Sequence, residues 1–189
     1  MNGMSQFRRS FVASLGAAAV SAALPLARAR AESEPARESR AAAWLAVDLL
    51  GTDGREMSLG QIAAPVVVVH VWASWCPACL GELASIQDLA DRLGPAGMAT
   101  LLVSHPKHWD RDAGYLQRTR VRLPAYTLAP DVPWAMREAV FDMTDNTYSV
   151  PRTLVFAGRE RHCVLVKDGP EDWQSPRVTA RLRTLAGAA

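Results

Sequence analysis

Cysteine and aromatic residues are scarce in this sequence, and neither sign of charge dominates it. Three of its 189 residues are cysteine, 7% are aromatic, and the formal net charge is +2. Three cysteines are too few for a disulfide-rich scaffold. A structural zinc site would need a second ligand pair, and only Cys163 and four scattered histidines remain beside the pair at Cys76 and Cys79. The charge gives no indication of a nucleic-acid-binding surface.

The sequence also lacks an apolar run long enough to be a strong membrane-spanning helix. Its longest such run follows Arg8-Arg9-Ser10-Phe11, is rich in alanine, and ends at Leu26 before a small-residue segment that reaches Ala31. This three-part pattern is typical of an export signal. It resembles a twin-arginine leader that is cleaved after Ala29 or Ala31, and the alternative is an uncleaved leader that anchors the protein to a membrane.

Removal of residues 1–31 would leave 17 basic and 19 acidic residues, a formal charge of −2, so we expect no nucleic-acid partner. Residues 32–43 mix charged residues, proline and alanine without an apolar stripe, which predicts a flexible linker. A single domain is then predicted over residues 44–189. Export to the periplasm would place that domain in an oxidising compartment, where a CxxC pair can remain a disulfide.

The most informative stretch is residues 66–79, in which a β-branched run leads directly into Trp75-Cys76-Pro77-Ala78-Cys79. Such a run predicts a strand buried on both faces, followed by a sharp turn that opens a helix. Two cysteines three positions apart at a helix start can form a disulfide across one turn. A CxxC pair near a βαβ pattern indicates a thioredoxin-like redox motif.

The two cysteines are expected to have different roles. Unpaired backbone N–H groups and the helix dipole favour the thiolate of Cys76, which predicts a lowered pKa and a nucleophilic role. Cys79 lies one turn further into the helix and suits the resolving role, in which it attacks the mixed disulfide that Cys76 forms. The pair itself is then the only redox group required, and we expect no cofactor and no metal.

The remaining patterns predict an α/β fold with a central mixed sheet flanked by helices. A short strand over residues 44–50, a turn and a second short segment through Met57 precede a helical turn at 58–62. Further helices are predicted after Cys79 to residue 93, and over 109–120, 133–141 and 177–188, with strands over 98–104, 123–128, 151–156 and 161–166. A right-handed βαβ unit would place function at the carboxyl ends of its strands.

Taken together, the Trp-Cys-Pro-Ala-Cys turn, the preceding hairpin, the helix-strand-helix insertion and Val150-Pro151 make residues 44–185 similar to the TlpA/ResA group of the thioredoxin superfamily. Those proteins are exported thiol-disulfide oxidoreductases and include the cytochrome c maturation reductases. The resemblance implies a thioredoxin fold and a cis bond before Pro151. It further implies that substrate meets Trp75, Pro77, Val150 and Pro151, with the Val150 backbone pairing as an added strand.

Two buried-site candidates depend partly on the same resemblance. Glu82 follows Cys79 by three residues and so lies on the same helix face. It matches a glutamate that handles protons beneath the cysteine pair, although it could equally be a solvated helix charge, and Ala84 replaces the proline usual in the group. His70 occupies the place of a buried acid in thioredoxins, and it is either a base for Cys79 or a core histidine.

The other candidates are weaker. Cys163 is expected to be a buried inert thiol, with an intermolecular disulfide as the alternative. His105 and His108 are expected to lie in a solvated loop rather than in a metal site. Trp72 is expected in the core, and Trp75 beside the disulfide.

The leading functional prediction is an exported thiol-disulfide oxidoreductase that reduces disulfides of periplasmic proteins, for example in cytochrome c or oxidase maturation. Its partners would be those proteins and a membrane or periplasmic thiol donor of electrons, and we expect a monomer. One alternative is a disulfide-forming oxidant, since spacing alone does not set the reduction potential. Another is a module that binds and delivers copper through the same two cysteines, because soft thiolates suit Cu(I). Peroxide reduction is disfavoured because the Pro-x-x-x-Thr-x-x-Cys pattern is absent.

Overall fold

The computed structural model describes residues 34–187, so the predicted export signal and its cleavage sites lie outside the described residues. In that part of the chain, the helices are α1 (Glu34–Leu45), α2 (Pro77–Leu93), α3 (Trp109–Leu116), α4 (Trp134–Phe141) and α5 (Pro176–Gly187). The strands are β1 (Leu49–Gly51), β2 (Glu56–Met57), β3 (Val66–Val71), β4 (Met98–Val103), β5 (Ala125–Leu128), β6 (Arg152–Ala157) and β7 (His162–Asp168). None of these helices is long and apolar enough to cross a bilayer.

All seven of these strands form one mixed sheet in the order β2-β1-β5-β4-β3-β6-β7. The parallel core consists of β3, β4 and β5, while β6 runs antiparallel to β3, and β7 and β1 extend the sheet as antiparallel strands. The mixed sheet and the α3-β5-α4 insertion confirm the predicted thioredoxin fold. The predicted N-terminal hairpin is present as β1 and β2, which pair antiparallel.

The central strand β3 is buried along its whole length, as its β-branched run predicts. Its odd-numbered residues Val67, Val69 and Val71 pack in a cluster with α1 and α4, and Val66 and Val68 pack on the other face with α2 and α5. Because side chains alternate along a strand, His70 faces the second side. The helices therefore cover both faces of the sheet, which is why β3 can be apolar throughout.

The predicted flexible linker is wrong for most of its length, because residues 34–45 form α1. Ala41, Ala43 and Trp44 are buried, and the Trp44 ring lies 6.2 Å from that of Phe141. A run of alanines has high helix propensity, and Trp44 anchors the helix to the sheet. The strand predicted from residue 44 is consequently reduced to Leu49–Gly51.

The other boundaries differ from prediction by a few residues. Helix α3 ends at Leu116 rather than at residue 120, and β5 begins at Ala125 rather than at 123. Helix α2 ends at Leu93, where Gly94-Pro95 starts a 3-10 turn, and Gly97, with a φ of 95°, turns the chain into β4. Glycine adopts this left-handed conformation at little cost.

Candidate active site

The ends of four strands meet at one edge of the sheet. The parallel strands β3, β4 and β5 end there, and β6 begins there because it runs antiparallel, with Arg152 opposite Val71. The loops that leave these strands carry Cys76 after β3, His105 after β4 and Pro151 before β6. In open α/β sheets this edge is where ligands bind.

Cys76 and Cys79 form a disulfide at the start of α2, with their Cα atoms 5.3 Å apart. Cys76 is the N-cap residue of the helix, and its Sγ accepts a hydrogen bond from the Cys79 backbone N–H at 3.1 Å. Pro77 occupies the first turn, where its missing N–H costs no helical hydrogen bond. Cys79 is fully buried, whereas Cys76 is 5% exposed, so the nucleophilic position is the more accessible of the two.

Of the residues implied for substrate binding, Trp75 and Pro77 directly flank Cys76 in the sequence. Trp75 is 42% exposed, so it offers an aromatic surface directly before Cys76. The Val150–Pro151 peptide bond is cis, as the resemblance implies. Val150 is half-buried and packs against the cluster of side chains that contains both cysteines.

A buried carboxylate that the sequence analysis did not single out fixes the loop before Trp75. Asp112 in α3 is fully buried; its Oδ1 accepts the Ser74 backbone N–H at 2.8 Å and its Oδ2 accepts the Ser104 hydroxyl. The single aspartate thus links the loop after β3 to the end of β4. Its only sequence signal was its place in the first turn of α3, where acidic residues are common.

Arg152, the first residue of β6, similarly fixes the segment that follows Pro151. Its buried guanidinium donates to Asp168 at the end of β7, to Asp142 Oδ2 at 3.1 Å and to the Phe141 carbonyl at 3.3 Å. The cation thereby joins β6, β7 and the end of α4. Nothing in its local pattern predicted these contacts.

Glu82 and His70 lie together on the inner side of α2, so the solvated alternative for Glu82 is wrong. Glu82 is 6% exposed, and its Oε1 accepts hydrogen bonds from the Trp173 indole N–H at 2.9 Å and the Glu171 backbone N–H at 2.6 Å. Its Oε2 lies 4.0 Å from His70 Nε2 and has no hydrogen-bond partner among the described residues. His70 Nδ1 is 2.9 Å from the Thr153 hydroxyl.

Burial shifts both of these groups towards their neutral forms. It lowers the pKa of His70 to about 3. Burial also raises the pKa of Glu82, although the hydrogen bonds from Glu171 and Trp173 and the charge of Lys167 act in the opposite direction. His70 is therefore neutral and only weakly basic at physiological pH, which argues against the predicted proton acceptance by the imidazole alone. Glu82 is the stronger base of the two.

The loop after β4 is only partly solvated: His108 is half-buried and Lys107 exposed, but His105 is buried, contrary to prediction. His105 is 4% exposed and stacks on Tyr148 at 4.9 Å, and its ring lies 4.8 Å from that of Phe141. Pro106–His108 form a 3-10 turn, which His105 caps by accepting the Lys107 backbone N–H. Packing on two aromatic rings from the distant 141–148 segment explains the burial. Local sequence could not reveal it.

The other minor candidates are as follows. Cys163 is half-buried, and its Sγ lies 3.6 Å from the Leu165 carbonyl, so it is less buried than predicted. Trp72 is buried in the core, as predicted. Within residues 34–187, no three histidine, cysteine or acidic side chains are grouped so as to hold a metal ion.

The chain has detectable relatives, and the family match includes the cysteine pair. Residues 41–114 match the AhpC/TSA family. A Haemophilus influenzae protein, described as uncharacterized, is 43% identical over 44 residues, which is 23% of this chain. That match spans 28% of the Haemophilus protein's own length.

Solved structures of several thioredoxin-like proteins resemble this one over most of its length. MTB DsbF, solved in mixed oxidized and reduced forms, is 19% identical with a TM-score of 0.58 over 76% of this chain and 97% of its own. The exposed lipoprotein thioredoxin Etrx1 from Streptococcus pneumoniae is 23% identical, with a TM-score of 0.55 over 74% and 97%. A putative thiol:disulfide interchange protein DsbE from Chlorobium tepidum is 16% identical, with a TM-score of 0.56 over 75% and 90%.

These likenesses agree with the sheet topology described above. The family match and the named neighbours support the thioredoxin-like fold that the sequence predicted. The chain therefore has a thioredoxin-like fold, and the segment that matches the AhpC/TSA family, residues 41–114, contains the Cys76–Cys79 disulfide.

Proposed function

We propose that this protein is an exported thiol-disulfide oxidoreductase that reduces disulfides of other exported proteins, for example during cytochrome c or oxidase maturation. The observation that carries the proposal is the Cys76–Cys79 disulfide at a helix N-terminus, with the exposed Trp75 and Val150–Pro151 beside it. The twin-arginine-like leader supports export to the periplasm. The Streptococcus relative, described as an exposed lipoprotein, is consistent with that location.

The reaction consists of two thiol exchanges. In the reduced protein, the Cys76 thiolate attacks one sulfur of the substrate disulfide, and the other substrate sulfur leaves as a thiolate that takes up a proton. Cys79 then loses its proton and attacks Cys76 Sγ, which releases the second substrate sulfur as a thiol. Two electrons pass to the substrate, and the protein becomes the disulfide. No cofactor is needed for these steps.

Glu82 and His70 are suited to assist the removal of the proton from Cys79. Glu82 lies one helical turn from Cys79 on the same face, and its raised pKa brings it closer to the pKa of a thiol. We assign Glu82 the role of base. Its Oε2 is the free oxygen, because Oε1 already accepts from Trp173 and Glu171.

His70 would adjust its tautomer to the proton on Glu82. When Glu82 is ionised, the Thr153 hydroxyl donates to Nδ1 and the Nε2–H faces the carboxylate. When Glu82 Oε2 carries a proton, the favoured His70 tautomer has its proton on Nδ1. Nδ1–H then donates to the Thr153 hydroxyl, and the lone pair of Nε2 faces the protonated carboxyl group. The imidazole can therefore favour either state of Glu82 without becoming charged, which suits its low pKa. This makes His70 a positioning residue for Glu82.

The direction of transfer is tested by the reduction potential of the cysteine pair. The mature protein is equilibrated with glutathione and dithiothreitol buffers, and its thiols are counted. A value near about −270 mV supports the reductase, and one near about −120 mV would identify a disulfide-forming oxidant instead. A thiol on an exported membrane or periplasmic protein would supply the electrons of the reductase.

The copper-binding alternative makes a different prediction. Soft thiolates suit Cu(I), so a copper module would take up one equivalent only when the pair is reduced. Metal analysis of the reduced protein after anaerobic incubation with Cu(I) distinguishes the two functions. Stoichiometric copper with no turnover of disulfides would overturn the redox proposal.

A further inference from the structure

We propose that a second site beside the cysteine pair binds a carboxylate side chain of the protein substrate, and this inference rests on the function proposed above. The site is an open pocket of about 480 Å³ between the turn that follows β4 and helix α4. Its walls are formed by His105, Pro106, Lys107, Trp134, Arg137 and Asn146. None of these residues takes part in the thiol exchange.

The pocket wall contains a buried hydrogen-bond donor without a partner. His105 Nδ1 accepts the Lys107 backbone N–H at 3.1 Å, so the proton of the neutral ring is on Nε2. Nε2 is buried and has no hydrogen-bond partner among the described residues. An unsatisfied buried donor costs about 1–3 kcal/mol, and an acceptor on a ligand would remove that cost.

The charges around His105 are cationic. Burial, and to a smaller extent the positive charges of His108, Arg137 and Lys107, together lower the pKa of His105 to about 4. Arg137 is held in place because its guanidinium donates to the Val132 and Pro130 carbonyls, both at 2.8 Å. Lys107 is exposed and free to reach a ligand. A neutral donor between two cations is suited to an anion with two acceptor oxygens, such as a carboxylate.

The pocket lies close enough to Cys76 for a residue of the bound substrate protein to reach it. The Tyr148 ring lies 4.9 Å from His105 and 6.3 Å from Trp75, which directly precedes Cys76. One aromatic ring thus separates the pocket from the surface beside the reacting sulfur. An extended chain advances about 3.3 Å per residue, so a side chain about four residues from the target cysteine would reach the pocket.

The test uses two pairs of synthetic peptides, and the two members of each pair differ at one position. Each carries one cysteine as a mixed disulfide with 2-mercaptoethanol, with Glu or Gln four positions away, and versions with that residue on either side are made. We expect the reduced protein to reduce one Glu peptide about fivefold faster than its Gln counterpart at low salt, and the advantage to largely disappear at about 1 M salt. The net charge of residues 32–189 is negative, so this preference would require a local cationic site.

Two variants locate the effect. Lys107→Gln should reduce the Glu-to-Gln rate ratio to about twofold, because one of the two cations is lost. Arg183→Gln removes the same charge from an exposed position on α5 and should leave the ratio unchanged. Equal rates for the Glu and Gln peptides on both sides, or an equal loss of the ratio in Arg183→Gln, would overturn the inference.

A binding measurement separates this inference from the proposed function. The S-methylated Glu and Gln peptides are titrated into the oxidised protein, and NMR shifts of Asn146 and the Trp134 indole are followed. Shifts specific to the Glu peptide support the pocket even if no disulfide is reduced. If the protein reduces the neutral bis(2-hydroxyethyl) disulfide but neither peptide assay shows a preference for Glu over Gln, the proposed function stands and the pocket is rejected.

Discussion

His70 and His105 are both buried histidines near the active-site edge of the sheet, yet their charged neighbours have opposite signs. His70 Nε2 lies 4.0 Å from a Glu82 carboxylate oxygen, whereas the charges that act on His105 belong to Lys107, Arg137 and His108. Burial lowers the pKa of both imidazoles, to about 3 and about 4. Neither ring is therefore charged at neutral pH, and the difference between the sites does not come from the histidines.

The comparison shows that the group facing the second ring nitrogen determines what a neutral buried histidine can do. In both rings Nδ1 has a hydrogen-bond partner, the Thr153 hydroxyl for His70 and the Lys107 backbone N–H for His105. Beside a carboxylate, the Nε2 of His70 can respond to a proton. Beside cations, the Nε2–H of His105 keeps its proton and can donate a hydrogen bond to an anion of the ligand. The proton-handling and binding functions are thus separated by charge.

Removing the carboxylate beside His70 should have the largest effect. In Glu82→Gln, the base for Cys79 is lost, and we expect attack on the mixed disulfide to slow by about 10²–10⁴-fold. Stopped-flow release of a labelled substrate thiol measures this step. Glu160→Gln, an exposed carboxylate on the β6–β7 turn, is the matched control. A release rate equal in both variants would remove Glu82 from the mechanism.

Acid should destabilise the protein through both histidines together. Their folded pKa values lie below the ordinary histidine value of 6.5, so the unfolded chain binds more protons than the folded protein as pH falls from 6.5 to about 4. Each histidine should cost up to about 1.4 kcal/mol of unfolding free energy per pH unit in that window. Denaturant unfolding at pH 6.5, 5.5 and 4.5 measures the slope.

The pH slope also tests whether both sites contribute. His105→Gln and His70→Gln should each reduce this slope. The raised pKa of Glu82 has the opposite sign, since ionisation above its unfolded pKa costs stability, and it offsets part of the slope. A wild-type free energy of unfolding that is flat from pH 6.5 to 4.5 would contradict the buried neutral state of both rings.

Removing His70 should slow the reaction less than removing Glu82, because we assign His70 a role through Glu82. We expect His70→Ala to slow release of the mixed disulfide by about ten- to a hundredfold. In the double variant with Glu82→Gln the two effects should not add, since the same step is affected. Additive effects would indicate an independent role for His70, and an unchanged rate in His70→Ala would reduce it to a core residue.

Local patterns predicted the sheet, the helices and the cysteine pair because each depends on neighbours within a few residues. Continuous burial of β3 and the periodicity of α2 are properties of short windows, and so is the placement of Cys76 at a helix start. The linker prediction failed because Trp44 is anchored by Phe141, almost a hundred positions away. Packing over such a separation leaves no periodic signal in the residues concerned.

The contacts around the site could not be predicted either, because they also join residues far apart in the sequence. Asp112 binds Ser74 across 38 positions, and Trp173 binds Glu82 across 91. The sequence placed Glu82 on the face of Cys79 but did not indicate which of its oxygens would be free. Nor did it distinguish a solvated His105 from one stacked on Tyr148. Residue chemistry could therefore be predicted for the cysteines, whereas the protonation states of their neighbours depended on tertiary burial.

The smallest effect is expected from the indole that binds Glu82. Trp173→Phe keeps most of the buried ring but removes the N–H that donates to Oε1 at 2.9 Å. That hydrogen bond favours the ionised carboxylate, so its loss should raise the pKa of Glu82 further and shift the pH profile of mixed-disulfide release upward by about one unit. Trp44→Phe, a buried substitution on the opposite face of the sheet, controls for general loosening and should leave the midpoint in place. A profile that keeps its midpoint in Trp173→Phe, or shifts equally in both variants, would mean that the titration followed in that assay is not that of Glu82.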